Sequence, residues 1–310
     1  MLYAEVAIKP ELLEPTIERL ADLDGKFGFE KGALISRLPK YLWGQFKSDV
    51  TEKLIDGTSR ESVYAEEILK RLQSAFIRFG RTDPKPESWL DDVLRLHAIK
   101  PFSAIVSDCG REPAIPYYYL NQELGIFGED KRTPKVASEF IAVISPLLHA
   151  SKRIELIDPY FALDEKGIDG SQNKAFFDAL FTELKARGQS KVVTFHIEAD
   201  PSSRTALPVE EQRAKYEDYM SASAPDNVEV HCYWWDDNKT SAFHARYLLT
   251  EKGAVKFDSG FRQPADHDQR RQPVDMSVVK SEDTLTLIRS QFDEFETEMT
   301  LVERLIVNEQ

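Results

Sequence analysis

Ile154-Glu155-Leu156-Ile157-Asp158-Pro159-Tyr160 decides the fold class. Arg153 to Ile157 is a short apolar run that reads as a buried strand. Asp158-Pro159 stops it, because a proline has no amide to give to a ladder. Helix and strand patterns alternate from there on. Val136 to Ala150, Asn173 to Arg187 (closed by Gly188) and Val209 to Met220 carry helical spacing. Lys191 to Ile197, Val228 to Trp234, Ala242 to Leu249, Ala254 to Phe257 and Val274 to Val279 read as strands. Ser281 opens a long closing helix with Leu285, Leu287, Ile288, Phe292 and Phe295 inside. Such alternation predicts an α/β domain over residues 135–310.

Upstream the texture differs. Residues 1–132 read as a mostly helical, partner-binding or structural region. Helical stripes run through Pro10 to Leu23, Pro39 to Ile55 and Ser59 to Phe79, and Ser88 caps a further helix to about Ala98. Phe102 to Val106 is a short strand. The polar stretch Glu129-Asp130-Lys131-Arg132-Thr133-Pro134 is the expected linker. Gly25, Gly28 and Gly32 do not have the spacing of a dinucleotide fingerprint and read as turn residues.

The bulk numbers set limits. The 310 residues carry a formal net charge of -13, so a phosphate backbone is repelled at long range. Any nucleic-acid contact must come from a local basic patch, a partner or a dimer cleft. Two cysteines, Cys109 and Cys232, are too few for a disulfide framework, which points to a reducing, cytoplasmic setting. No apolar stretch approaches the ~18 residues of a membrane span, and no membrane association is expected.

The chemistry concentrates at His244-Ala245-Arg246. If Ala242 to Leu249 is a strand, His244, Arg246 and Leu248 share one face and the apolar Phe243, Ala245, Tyr247 and Leu249 share the other. The histidine and the cation then open into a cleft and can converge on one phosphate. A guanidinium offers a fixed fork of donors to phosphate oxygens. A neutral imidazole can attack phosphorus or move a proton. Glu251 is the candidate to orient that imidazole, and Ser259 to donate a hydrogen bond to the phosphate. The alternative is a structural pair in which His244 and Arg246 bind carboxylates such as Glu251.

His244-x-Arg246-Tyr247, Glu251 after four residues and Asp258-Ser259-Gly260-Phe261 after six more resemble the single-motif phospholipase-D-like superfamily. The nearest flavour is the phospholipase-D-like domain at the C-terminus of MIT-domain proteins, with prokaryotic relatives in phage-defence gene clusters. The Asp158-Pro159-Tyr160 strand end is similar to the one that opens such domains. The likeness covers roughly residues 135–300. It implies a mixed sheet flanked by helices. It also implies a phosphodiesterase or nuclease that needs no metal or other cofactor. In active members two such motifs meet: one histidine forms a phosphohistidine and the other protonates the leaving oxygen. With one motif, this chain would work as a homodimer. Arg246 stands for the usual Lys, Glu251 for Asp, Asp258 for Gly and Phe261 for Asn. The family also includes binders that do not cleave, so a non-catalytic sensor or assembly subunit of a defence complex is the other reading.

Further substrate contacts are expected from Asp158 and Tyr160, from Lys239 before the motif, and from Arg262, Arg270 and Arg271 after it. Each has a plainer reading. Asp158 would be an Asx turn residue, Tyr160 a core aromatic, and the cations parts of solvated loops. Trp234 and Trp235 can stack bases only singly, since alternation turns one inward. His231 and Cys232 project to opposite faces and cannot both bind a metal. The acidic run Asp293, Glu294, Glu296, Glu298 and Glu303 reads as a solvated helix face or a dock for a basic partner. Leu301, Val302, Leu305 and Ile306 then form its apolar stripe, either a dimer seam or core packing.

Overall fold

A computed structural model describes residues 2–309, apart from 58, 110, 121–129, 162, 164–170, 187–188 and 200–206. Glu129, Arg187 and Gly188, named above as boundary residues, lie outside the described set. The chain forms two compact units, Met1–Glu129 and Asp130–Gln310.

The first unit holds more helix than strand, yet its centre is a five-stranded sheet of which the sequence patterns revealed one strand, at Phe102 to Val106. The strands are β1 (Ala4–Ile8), β2 (Ala33–Ser36), β3 (Phe76–Ile77), β4 (Ala104–Val106) and β5 (Ala114–Ile115). They are all parallel, in the order β3-β2-β1-β4-β5. The helices are α1 (Ile17–Lys26), α2 (Leu42–Leu54), α3 (Arg60–Leu72) and α4 (Trp89–Ile99). Leu20, Leu23, Phe46, Val50, Ile68 and Leu72 from α1 to α3 pack on one face, against Val6, Ile8 and Ile35. Trp89 and Val93 of α4 pack with Ala7 and Ile105 on the other. The strand order therefore reverses between β1 and β4, as in doubly wound sheets. An ion pair sits inside this unit: Arg81 clamps Glu5 of β1 at 2.6 and 2.7 Å, with both side chains 5% exposed.

The second unit is α/β, as its alternating patterns predict. Its strands are β6 (Lys131–Pro134), β7 (Arg153–Ile157), β8 (Lys191–Glu198), β9 (Val228–Asp236), β10 (Arg246–Thr250), β11 (Gly253–Phe257), β12 (Pro273–Val278) and β13 (Thr300–Val307). They form one mixed sheet ordered β13-β9-β8-β7-β10-β11-β12-β6. β7, β8 and β9 run parallel, and every other neighbouring pair is antiparallel. The helices are α5 (Ala137–Ala150), α6 (Ser171–Lys185), α7 (Val209–Ser223), α8 (His267–Arg271) and α9 (Glu282–Gln291). Rings from α5, α6 and α7 (Phe140, Phe176, Phe177, Tyr216) meet Phe257, Phe261, Phe195 and Trp234 on one face. Leu285, Ile288 and Phe292, in and just after α9, meet Ile157, Trp235 and Leu249 on the other.

Three expectations need correction here. The proposed linker is in part β6, because Val274 and Asp275 of β12 give Thr133 and Arg132 ladder partners. The closing helix stops at Gln291, and residues 300–307 are an edge strand beside β9. Leu287, on the outer side of α9, and Phe295, beyond its end, are exposed rather than inside. Both Trp234 and Trp235 are buried, one under each layer, so neither can stack a base.

Candidate functional site

β7 ends where its parallel neighbour β8 continues, and the chain turns at Asp158-Pro159. Asp158 is 2% exposed. Its Oδ1 accepts the amide of Tyr160 at 2.9 Å, the expected Asx turn, and its Oδ2 accepts the amide of Phe261 at 3.2 Å. One carboxylate thus ties the end of β7 to the turn that follows β11. Burial pushes this carboxyl above the usual range. The two amides and the charges of Arg246 and Arg262 act against that shift without cancelling it.

The turn fits only because residue 260 is glycine. Its φ is +75°, and a Cβ there would meet Asp158 Oδ2 at 2.5 Å. Phe261 then drops into the aromatic core, 5.3 Å from Phe161 and 4.4 Å from Phe257 between ring centroids. A large apolar side chain at this point serves packing. Ser259, in the same turn, is exposed.

Tyr160 stands beside this anchor. The guanidinium carbons of Arg246 and Arg262 each lie 5.6 Å from its ring centre. A ring offers both cations its negative face without neutralising either. Arg246 begins β10 opposite Phe257 of β11, and its Nη1 donates to the His244 carbonyl at 3.4 Å. Its Nε is buried and has no partner among the described residues. Asp158, Tyr160, Arg246 and Arg262, scattered over 105 positions of sequence, therefore share one rim of the sheet.

His244 reaches that rim by a different route from the expected one. Ala242–His244 is a 3-10 turn, and β10 starts only at Arg246. Strand alternation therefore does not place His244. Leu248 and Leu249 are both fully buried, because β10 is an inner strand covered on both faces. His244 is exposed at the end of the turn. Asp237 shapes the loop before it, accepting the amides of Ser241 and Ala242 at 3.0 and 3.1 Å. Asn238, Lys239 and Ser241 take positive φ there, which leaves Lys239 exposed on the loop. Asp237 was overlooked; the polar run Asp236 to Ser241 was its signal.

Glu251 is not placed to orient His244. It sits at the opposite end of β10, where its two oxygens accept the amides of Lys152 (2.7 Å) and Arg153 (3.1 Å). Arg270 is also committed elsewhere: its Nε and Nη2 hold the carbonyls of Pro264 and Ala265 in its own loop. Arg271 is exposed beside it. The structure thus gathers Asp158, Tyr160, Arg246 and Arg262, with His244 and Ser259 next to them in sequence, and leaves out Glu251 and Arg270.

The gathered set can do one thing well. Two oriented guanidiniums around a ring, with an exposed imidazole at the margin, suit an oxyanion with more than one free oxygen. On the α9 face, His231 is taken up by Glu229 and the Tyr233 hydroxyl, and no metal-binding group of three acidic, histidine or cysteine side chains forms among the described residues. No helix among them is long and apolar enough to cross a membrane. No family model matches the chain, and comparison with curated proteins finds no match.

Proposed function

We propose that the second unit binds a phosphodiester, with nucleic acid the best-fitting class, as a phospholipase-D-like protein of a prokaryotic antiphage defence system. The observation that carries this reading is the pair of guanidiniums held on Tyr160, with the buried Arg246 Nε unpartnered among the described residues. The helix-covered mixed sheet supports the family part of the reading, and the defence role rests on the resemblance alone. At a net charge of -13, such a cation pair is what a phosphate needs locally.

Cleavage, if the site performs it, uses His244 as nucleophile. A ring nitrogen bonds to phosphorus, and the ester oxygen leaves with a proton from the His244 of a second copy. Water then releases the phosphate from the first imidazole. None of these steps calls on a metal. A second reading is favoured by one specific observation: Glu251 is bonded to Lys152 and Arg153, so His244 lacks its expected orienting carboxylate. On that reading the pocket recognises phosphate without cutting, as a sensor or assembly subunit.

Incubation with labelled DNA and RNA in chelator, using wild type and His244→Ala, separates the two. Cleavage lost in the variant supports the nuclease. Binding without turnover in wild type supports the sensor. Cleavage retained by His244→Ala rules out the assignment of His244.

A further inference from the structure

The described strands leave four sheet edges, those of β3, β5, β6 and β13. β3 and β5 are two residues long. β6 has four residues, carries Lys131 and Arg132, and ends in Pro134. Shortness, charge and proline are the usual means of keeping an edge from pairing with another chain. β13 is neither short nor closed by proline; its charges are one opposed pair, Glu303 and Arg304, and its register shifts between Leu301 and Glu303. It runs for eight residues without proline, lysine or glycine, and beyond it no described strand follows.

One face of β13 is open along the strand. Thr300, Val302, Arg304 and Ile306 are exposed in alternation. The Arg304 amide donates to the side chain of the residue before it, Glu303 Oε1, at 2.9 Å. The segment before the strand lies against the same face, where Glu294 pairs with the Arg304 guanidinium, itself 5.2 Å from the Tyr233 ring centre. Phe295, next to Glu294, is 92% exposed. From Asp293 to Arg304 the chain carries five carboxylates and one guanidinium.

We propose that the outer edge of β13 is a docking site for an extended, basic segment of a partner protein, which adds a ninth strand to the sheet. The incoming strand takes over the Arg304 amide. Glu303, whose Oε1 also lies 3.7 Å from Arg213 Nε, is then shared with a Lys or Arg of the partner, beside Glu296 and Glu298. Alternate apolar side chains of the partner cover Phe295, Val302 and Ile306. Main-chain bonds supply affinity in this mode, and the side chains supply selectivity. A second copy of this chain is a poor occupant, because it would bring the same surplus of carboxylates to the seam. The proposal does not depend on the phosphate site.

The test uses the full-length chain and fluorescein-labelled short peptides, read by anisotropy. One peptide alternates Lys with Val. A second alternates Glu with Val, reversing the charge. A third alternates Lys with Pro, keeping the charge but losing the strand. The Lys-Val peptide should bind at least about tenfold more tightly than either control. Ile306→Lys or Phe295→Ala, checked for native circular dichroism, should weaken it by about tenfold. Equal binding of all three peptides, or no binding of Lys-Val at about 1 mM, overturns the proposal. So does a wild-type dimer that Ile306→Lys converts to monomer.

Discussion

Gly260 rests directly on the buried carboxylate of Asp158, which leaves no room for a side chain at that position. Two separate elements, the end of β7 and the turn after β11, are locked by this contact, and the candidate site stands on the lock. Gly260→Ala should destabilise the protein by about 1–3 kcal/mol, from the positive φ and the lost clamp together. Urea unfolding measures it, and an unchanged midpoint would contradict the clamp.

The same carboxyl predicts a pH signature. Its folded-state pKa is raised from the ordinary 3.8, so folding favours the protonated form. That contribution is complete below about 3.8 and is lost as pH rises through the folded-state value. The stability of wild type minus that of Asp158→Asn should therefore fall with rising pH across that window. Chemical unfolding at a series of pH values checks the sign, and a difference that grows with pH would refute it.

Glu251 should be separable from the site. It holds two backbone amides at the start of β7, so Glu251→Ala should cost about 1 kcal/mol or more of stability. Phosphodiester affinity, measured on the folded variant, should be unchanged. A large loss of affinity would return Glu251 to the site.

In the first unit, the Glu5–Arg81 pair is buried and bound on several sides. Ser36 donates to Glu5, Arg81 donates to the Lys100 carbonyl, and the guanidinium lies 3.7 Å from the Phe102 ring centre. Arg81→Ala strands a buried carboxylate and should cost about 3–5 kcal/mol, whereas Glu5→Leu with Arg81→Met should lose much less. Thermal unfolding of both variants compares the two outcomes.

Much of the second unit was legible because its elements are long and their patterns contrast. Arg153–Ile157, Ala137–Ala150 and Val228–Asp236 each hold one periodicity over most of their length. Of the N-terminal sheet only β4 was read, because β3 and β5 offer two residues each and β1 is buried throughout, so none of these three shows an alternation. β13 was misread because Leu301, Val302, Leu305 and Ile306 also fit helical spacing, and only its pairing with β9 decides between them. At the site, residue types and spacing named Asp158, Tyr160, Arg246 and Arg262. The error at Glu251 came from treating sequence proximity as spatial proximity. Five strand residues separate the start of β10 from its end, and at about 3.3 Å each they carry Glu251 away from His244.

The central claim is that Arg246 and Arg262 receive a phosphate backbone, and its most direct test is the salt dependence of binding. Affinity for a labelled single-stranded oligonucleotide should be measured over a range of salt for wild type and for Arg246→Ala/Arg262→Ala. Each phosphate contact on a single strand contributes about 0.7 to the slope of log K against log salt. Removing both cations should therefore lower affinity and flatten the slope by roughly 1.4. Identical affinity and slope in the two proteins would contradict the account.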